Sequence, residues 1–166
     1  MRSAGVSLED VADTYETLLD RATSYDSAAD ILGIRIEAVV EPAERTETIV
    51  GATRDSQFGH LLMFGFGGIF VEIFEDTAFR VAPVSEREAE AMTEAIQAAP
   101  ILRGARGRRP ADIGTVVETI QRLSQLVVDF PAISELDVNP LVVAPDDVVA
   151  VDVRLTVDRD SLSTPE

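Results

Sequence analysis

Residues 135–152 read ELDVNPLVVAPDDVVAVD, and the fold turns on how this stretch pairs with itself. Residues 133–143 and 148–154 are rich in Val and Leu, and Ala144-Pro145-Asp146-Asp147 between them carries turn chemistry, so a β-hairpin is expected. With Pro145 and Asp146 as a two-residue loop, Asn139 lies directly opposite Asp152. Asp137, two residues before Asn139, then projects from the same face of its strand. The diagonal from Asp137 to Asp152 is also short enough for side chains to converge. Two carboxylates and an amide oxygen on one face are hard oxygen donors, the set Mg²⁺ takes when it also holds substrate phosphates. The competing reading is a polar strand end in which Asp and Asn only close turns. A longer loop would shift the register and favour that reading.

Composition narrows the classes. A chain of 166 residues suits one domain, burying roughly 68–70% of its unfolded surface. A hydrophobic fraction of 46% with 27% charged residues places it among globular rather than disordered chains. No apolar run approaches the ~18 residues of a membrane helix, and the N-terminus has no apolar signal core, so a cytoplasmic chain without membrane attachment is expected. The absence of cysteine excludes disulfides, thiolate catalysis and cysteine metal sites together. Thirty acidic residues against fourteen basic ones give a net charge of −16, and every base is arginine. A surface for free nucleic acid needs a positive field, so that partner class is excluded. The lack of lysine removes Schiff-base chemistry and a lysine phosphate clamp from this chain. Such acidity is tolerable where salt screens it, and the hypothesis is a salt-adapted cytoplasm. Complete folding and solubility in salt-free buffer would count against it.

Along the chain, Ser7 is placed to cap a helix with Asp10 at its third position, and Leu8, Val11, Ala12, Tyr15, Leu18, Leu19 and Ala22 follow helical spacing. Residues 31–40 read as a strand ended by Glu41-Pro42. A helix with an apolar face at the start of the chain suggests a missing sheet, hence a half-domain. From Glu47 to Ala82 the chain reads as four short strands, TETIVGAT, HLLMFGF, IFVEIFE and AFRVAP. Glu72, between phenylalanines on one face of the third, is either a functional carboxylate or an edge-strand charge that discourages aggregation. The loop Gly65-Phe66-Gly67-Gly68 either cradles phosphate with successive N–H groups or is a glycine-rich hairpin turn. Ser85-Glu86-Arg87-Glu88 matches a capping box for a helix burying Ala89, Met92 and Ile96. Arg103, Arg106, Arg108 and Arg109 then make a local basic patch, for phosphates or a partner's carboxylates, or else a solvated loop. A second helix is expected over 112–128, with Ile113, Val116, Val117, Ile120, Leu123 and Val127 on one face and Pro131 after it. The end of the chain, DSLSTPE, reads as a disordered tail.

Taken together, RDSQFGHLLMFGFGGIFVEIFEDTAFRVAPVSEREAEAM, LRGARG, SQLVVDFPAISELDVNPLVV and VAVDVRL resemble, in order, the ATP-grasp portion of ADP-forming acyl-CoA synthetases. That family includes the acetate–CoA ligase (ADP-forming) β subunit and is related to succinyl-CoA synthetase β. The resemblance runs from about Met1 to Thr156. It implies an α+β ATP-grasp fold, mainly antiparallel sheet packed against helices and truncated at the N-terminal lobe. Residues 1–41 would be the remainder of the smaller lobe, 42–157 the larger lobe and 158–166 a tail. It implies a ligase that interconverts acyl-CoA, ADP and phosphate with free acid, CoA and ATP through a phosphohistidine, with Mg²⁺ bridging the nucleotide phosphates.

By the same resemblance, Asn139 and Asp152 match metal ligands and Asp137 an acidic residue beside them. Glu37 falls at the hinge that holds adenine. Glu47, Glu72 and the loop with Gly65, Gly67 and Gly68 line the nucleotide cleft, and Arg106 joins them from LRGARG. Several positions depart from the pattern. The phosphate-binding lysine strand and the histidine-containing loop have no counterpart after Met1, Ala38 stands at a hinge position that is usually acidic, and Ser56 and His60 replace prolines. His60 does not match the phosphohistidine and is read as structural or exposed. Two functional readings follow. One is the C-terminal ATP-grasp portion of the synthetase, active when a partner chain supplies the missing lobe and the CoA-ligase domains. The other is a non-catalytic remnant that binds nucleotide or serves as an interaction module.

Overall fold

A strand needs a partner, and the β-rich runs after residue 45 find theirs in one another. The computed structural model describes residues 5–40, 44–67 and 76–159, and of Arg106 the backbone alone. The chain divides into two units, Met1–Glu41 and Pro42–Glu166. In the second unit β1 (Thr46–Asp55), β2 (Gly59–Phe66), β3 (Thr77–Val81), β4 (Ile133–Val143), β5 (Val148–Ala150) and β6 (Val153–Val157) form one sheet. Its order is β3-β2-β1-β4-β5, with β6 also on β4, and every described pairing is antiparallel. The turn from β1 to β2 is closed by the Asp55 carboxylate, which accepts the N–H groups of Gln57 at 2.7 Å and Phe58 at 2.9 Å. The run expected as IFVEIFE, with Glu72, lies outside the described residues, as do Gly68 and residues 160–166 of the tail.

One face of the sheet is the core. Val50, Ala52, Leu62, Phe64, Ala78, Leu136, Val138, Leu141 and Val143 join the apolar stripes of α2 (Glu86–Ala95) and α4 (Ile113–Asp129) in a single buried cluster. Both helices begin on expected residues. Ser85 forms a full capping box with Glu88, and the Asp112 carboxylate accepts the Thr115 N–H at 3.0 Å. Ala89, Met92 and Ile96 are buried, and so are Val116, Val117, Ile120 and Val127. A short helix α3 (Ala99–Leu102) and a 3₁₀ turn (Ala105–Gly107) connect them. Asp76, just before β3, fastens this connection by accepting the N–H groups of Gln97 at 2.5 Å and Ala98 at 2.8 Å. Four residues with no periodicity leave no sequence signal, which is why α3 escapes a reading by pattern.

The first unit holds α1 (Val11–Tyr25), which starts one turn after Ser7. Ser7 Oγ still accepts the Asp10 N–H at 3.3 Å, so the cap chemistry is present ahead of the regular turns. No residue of α1 is buried, and Leu8 beside it is 94% exposed. Residues 31–40 are not a strand, contrary to expectation. Their apolar alternation is real, but among the described residues of this unit no second extended segment offers a ladder.

Candidate functional site

The hairpin has the expected loop and the expected register. The Ala144 N–H donates to the Asp147 carbonyl at 2.8 Å, leaving Pro145 and Asp146 as the two loop residues. Leu141 faces Ala150 and Val143 faces Val148, and beyond an interruption Val138 faces Val153 and Asp137 faces Arg154. Across the interruption the Asn139 N–H donates to the Asp152 carbonyl, and the Val151 N–H to the Pro140 carbonyl, each at 3.0 Å. Asn139 therefore sits opposite Asp152. On the other side of β4, Thr48 faces Leu141 and Val50 faces Val138, so Asn139 and Pro140 together oppose Ile49. This bulge, with a cis peptide bond between its two residues, lies where the donor residues cluster.

Alternation assigns the faces. Leu136 and Val138 point into the core, so Asp137 and Asn139 stand on the opposite, open face, and their partners Arg154 and Asp152 stand there with them. Asn139, Asp152 and Arg154 are exposed, and Asp137 is half-buried. Glu47, in the same phase of β1 as Gly51, belongs to this face as well. Pairing runs straight across the sheet through Phe79, Met63, Gly51, Asp137 and Arg154. At its centre Gly51 is buried, and a Cβ there would lie 3.2 Å from the Leu136 carbonyl oxygen, 3.6 Å from Met63 Cε and 3.8 Å from Asp137 Oδ1. Neither Gly51 nor Arg154 is marked by the sequence reading. Counting on along the hairpin register would have found Arg154, but Gly51 comes from the long-range pairing of β1 with β4.

Burial pushes the Asp137 carboxyl above the ordinary carboxylate range; Arg154 opposes this, while Glu135 and Asp152 add to it by repulsion. Among the described residues no three His, Asp or Glu side chains form a metal-holding group. The donor set here is two carboxylates and an amide oxygen, which suits Mg²⁺, since that ion takes one or two carboxylates and completes its shell from phosphates and water. The half-buried Asp137 beside like charges is a place where a cation lowers the energy of the site. The donor chemistry fits.

Other expected contributors are placed differently. Gly65 closes β2 opposite Thr77, and a Cβ there would lie 2.8 Å from the Thr77 methyl. The Gly67 N–H donates to the Glu47 carbonyl at 2.6 Å, and that of Phe66 to the Asp76 carbonyl at 3.3 Å. The described amides of this loop are thus engaged by backbone. Glu37 belongs to the first unit, where it pairs with Arg35 at 2.5 Å. The side chain of Arg106 lies outside what is described. Its neighbours serve structure. Arg109 pairs with Glu44 at 3.1 Å and Asp146 at 2.9 Å, Arg108 donates to the Arg45 carbonyl at 2.9 Å, and Arg103 pairs with Glu94. His60 is buried, and its Nε2–H donates to the Ile133 carbonyl at 2.6 Å, a structural role. A concavity of about 450 Å³ beside α3 is lined by none of these open-face residues, and another of about 220 Å³ lies within the first unit.

A family model described as ATP-grasp domain matches residues 5–157. The chain belongs to the ATP-grasp domain family. This ATP-grasp chain is 42% identical over 147 residues to the β subunit of acetate–CoA ligase (ADP-forming) I of Pyrococcus furiosus, covering 89% of this chain and 62% of that subunit. Among solved structures it is similar to the dinucleotide forming acetyl-coenzyme A synthetase 1 of Ca. Korarchaeum cryptofilum. In the complex with coenzyme A, acetyl-coenzyme A and a phosphorylated phosphohistidine segment, the TM-score is 0.81 at 36% identity, over 94% of this chain and 69% of that one. In the complex with coenzyme A and Mg-AMPPCP it is 0.68 at 41% identity, over 71% and 55%. The chain therefore spans about three fifths of the length of its Pyrococcus relative. The expected antiparallel ATP-grasp sheet with packed helices is the observed fold.

Proposed function

We propose that this chain is the nucleotide- and Mg²⁺-binding ATP-grasp part of an ADP-forming acyl-CoA synthetase, coupling formation or cleavage of an acyl-CoA thioester to phosphoryl transfer. The observation that carries the reading is the hairpin register, which gathers Asp137, Asn139 and Asp152 on the open face of the sheet. These residues would hold Mg²⁺. When bound, the ion neutralises the nucleotide phosphates, and phosphoryl transfer depends chiefly on such positioning and charge neutralisation. Glu47 and Glu72 belong to the same cleft in this reading, with Gly68 and Arg106 on the phosphate side and Glu37 on the adenine.

Residues 1–41 would belong to the smaller lobe and 42–157 to the larger. A partner chain would supply the lysine, the phosphohistidine and the CoA-ligase domains. The unburied α1 supports that arrangement. A cytoplasmic setting belongs to this reading as an expectation; no described helix is long and apolar enough to cross a membrane. A non-catalytic nucleotide-binding module is the second reading, favoured by the absence of lysine and by the engaged Gly67 amide.

Calorimetric titration of Mg²⁺·ADP in concentrated KCl tests the first reading. Saturable, magnesium-dependent binding is expected, and Asp152→Ala should abolish it with the circular dichroism spectrum unchanged. Undiminished binding by that variant would refute the metal assignment. A folded wild-type chain that binds no nucleotide would refute the nucleotide site itself.

A further inference from the structure

Arginines within the described strands number three, and two of them point away from the open face. Arg54 pairs with His60 and Arg80 with Leu62, both in the phase of the core. Arg154 alone stands on the open face, directly opposite Asp137 and two residues from Asp152. It is exposed, and among the described residues no hydrogen bond or ion pair holds its guanidinium, although its charge acts on Asp137. Among the described side chains, the other charged groups in this phase, Glu47, Asp55, Glu135, Asp137 and Asp152, are negative. A magnesium nucleotide keeps net negative charge, so this face repels its phosphates unless a cation meets them. The chain has no lysine to do so.

We propose that Arg154 is a phosphate-binding residue of this site, whose guanidinium serves Asp137 in the empty site and takes a phosphate oxygen of a nucleoside di- or triphosphate once a divalent cation occupies Asp137. The planar fork of arginine suits two phosphate oxygens at once, a geometry an ammonium cannot reproduce. The proposal rests on the magnesium-nucleotide reading above. It assigns Arg154 two opposite effects, since the guanidinium competes with a bare cation for Asp137 but assists the cation–nucleotide complex.

Arg154→Gln separates them. Mn²⁺ alone, followed by electron paramagnetic resonance, should bind the variant at least as tightly as the wild type. Mg²⁺·ADP, followed by calorimetry, should bind it about tenfold to hundredfold more weakly. Arg154→Lys, which keeps the charge and loses the fork, should fall between the two and serves as the comparison if the glutamine variant does not fold. Unchanged Mg²⁺·ADP binding, or equal weakening of Mn²⁺ and Mg²⁺·ADP, would overturn the proposal. Failure of the wild type to bind Mg²⁺·ADP would instead sink the reading beneath it, and Asp152→Ala, which should lose both ligands, shows that the assay reports on the site.

Discussion

Gly104 and Gly107 share a positive φ, +86° and +81°, but not a neighbourhood. A Cβ on Gly104 would lie 2.4 Å from the Arg108 carbonyl oxygen, whereas one on Gly107 meets nothing within 4 Å. Gly107→Ala should therefore cost about 1 kcal/mol, the left-handed penalty alone. Gly104→Ala should cost at least ~2 kcal/mol more, because backbone must move. Urea denaturation of both variants checks this, and equal losses would contradict it. Asp137 makes the opposite kind of prediction. Its carboxyl is raised by burial, so the native state holds the proton more tightly than the unfolded chain. The stability this confers is complete below the ordinary aspartate value of 3.8 and is lost as pH rises through the raised value. At pH 7 the ionised group is a liability in the metal-free chain. Asp137→Asn should raise the melting temperature in EDTA while weakening Mg²⁺·ADP binding. A lower melting temperature in EDTA would show that Asp137 is a structural ion-pair partner of Arg154.

Among the elements, α2 is held at its start by a reciprocal cap. Glu88 Oε2 accepts the Ser85 N–H at 2.9 Å and the Ser85 hydroxyl at 2.5 Å, and these bonds pull its carboxyl below the ordinary value of 4.5. The Asp112 carboxylate on α4 is depressed likewise by the Thr115 N–H and hydroxyl. A depressed carboxyl stabilises the fold above its unfolded value and loses that contribution as pH falls through the folded one. Glu88→Gln should therefore flatten the fall of stability with pH below about 4.5, measured by urea midpoints at successive pH values. An unaltered slope would exclude the cap as a source. Ser85→Ala should cost about 1 kcal/mol. Both caps were legible because their chemistry is local. The basic patch was legible as charge but not as role, because Glu44 and Asp146, the partners of Arg109, are brought near only by the fold.

For the whole molecule, charge is the governing quantity. A net −16 on this chain is a self-repulsion that salt screens, with a Debye length near 10 Å at 0.1 M falling to about 3 Å at 1 M. We expect the melting temperature to rise by more than about 5 °C between 0.05 M and 2 M KCl, most of it below 1 M where screening changes fastest. A flat response would remove the case for salt adaptation. The apolar, unburied α1 adds a second whole-molecule expectation, that this segment orders further against a partner chain, which hydrogen exchange on α1 with and without that chain would register.

The sequence by itself determined the hairpin and, granted a two-residue loop at Pro145 and Asp146, its register, because strands so joined pair one way and alternation then places Asp137, Asn139 and Asp152 on one face. It determined both long helices, whose caps and apolar stripes lie within a few residues of each other. Only the tertiary structure decided that residues 31–40 pair with nothing described, since a strand is defined by its neighbour. Only it decided that the amides of Phe66 and Gly67 are bonded to Asp76 and Glu47, and that His60 reaches across to Ile133. It alone set Gly51 beside Asp137, because β1 lies far from β4 in the chain and no local pattern records that pairing, whereas Arg154 opposite Asp137 already follows from the hairpin register.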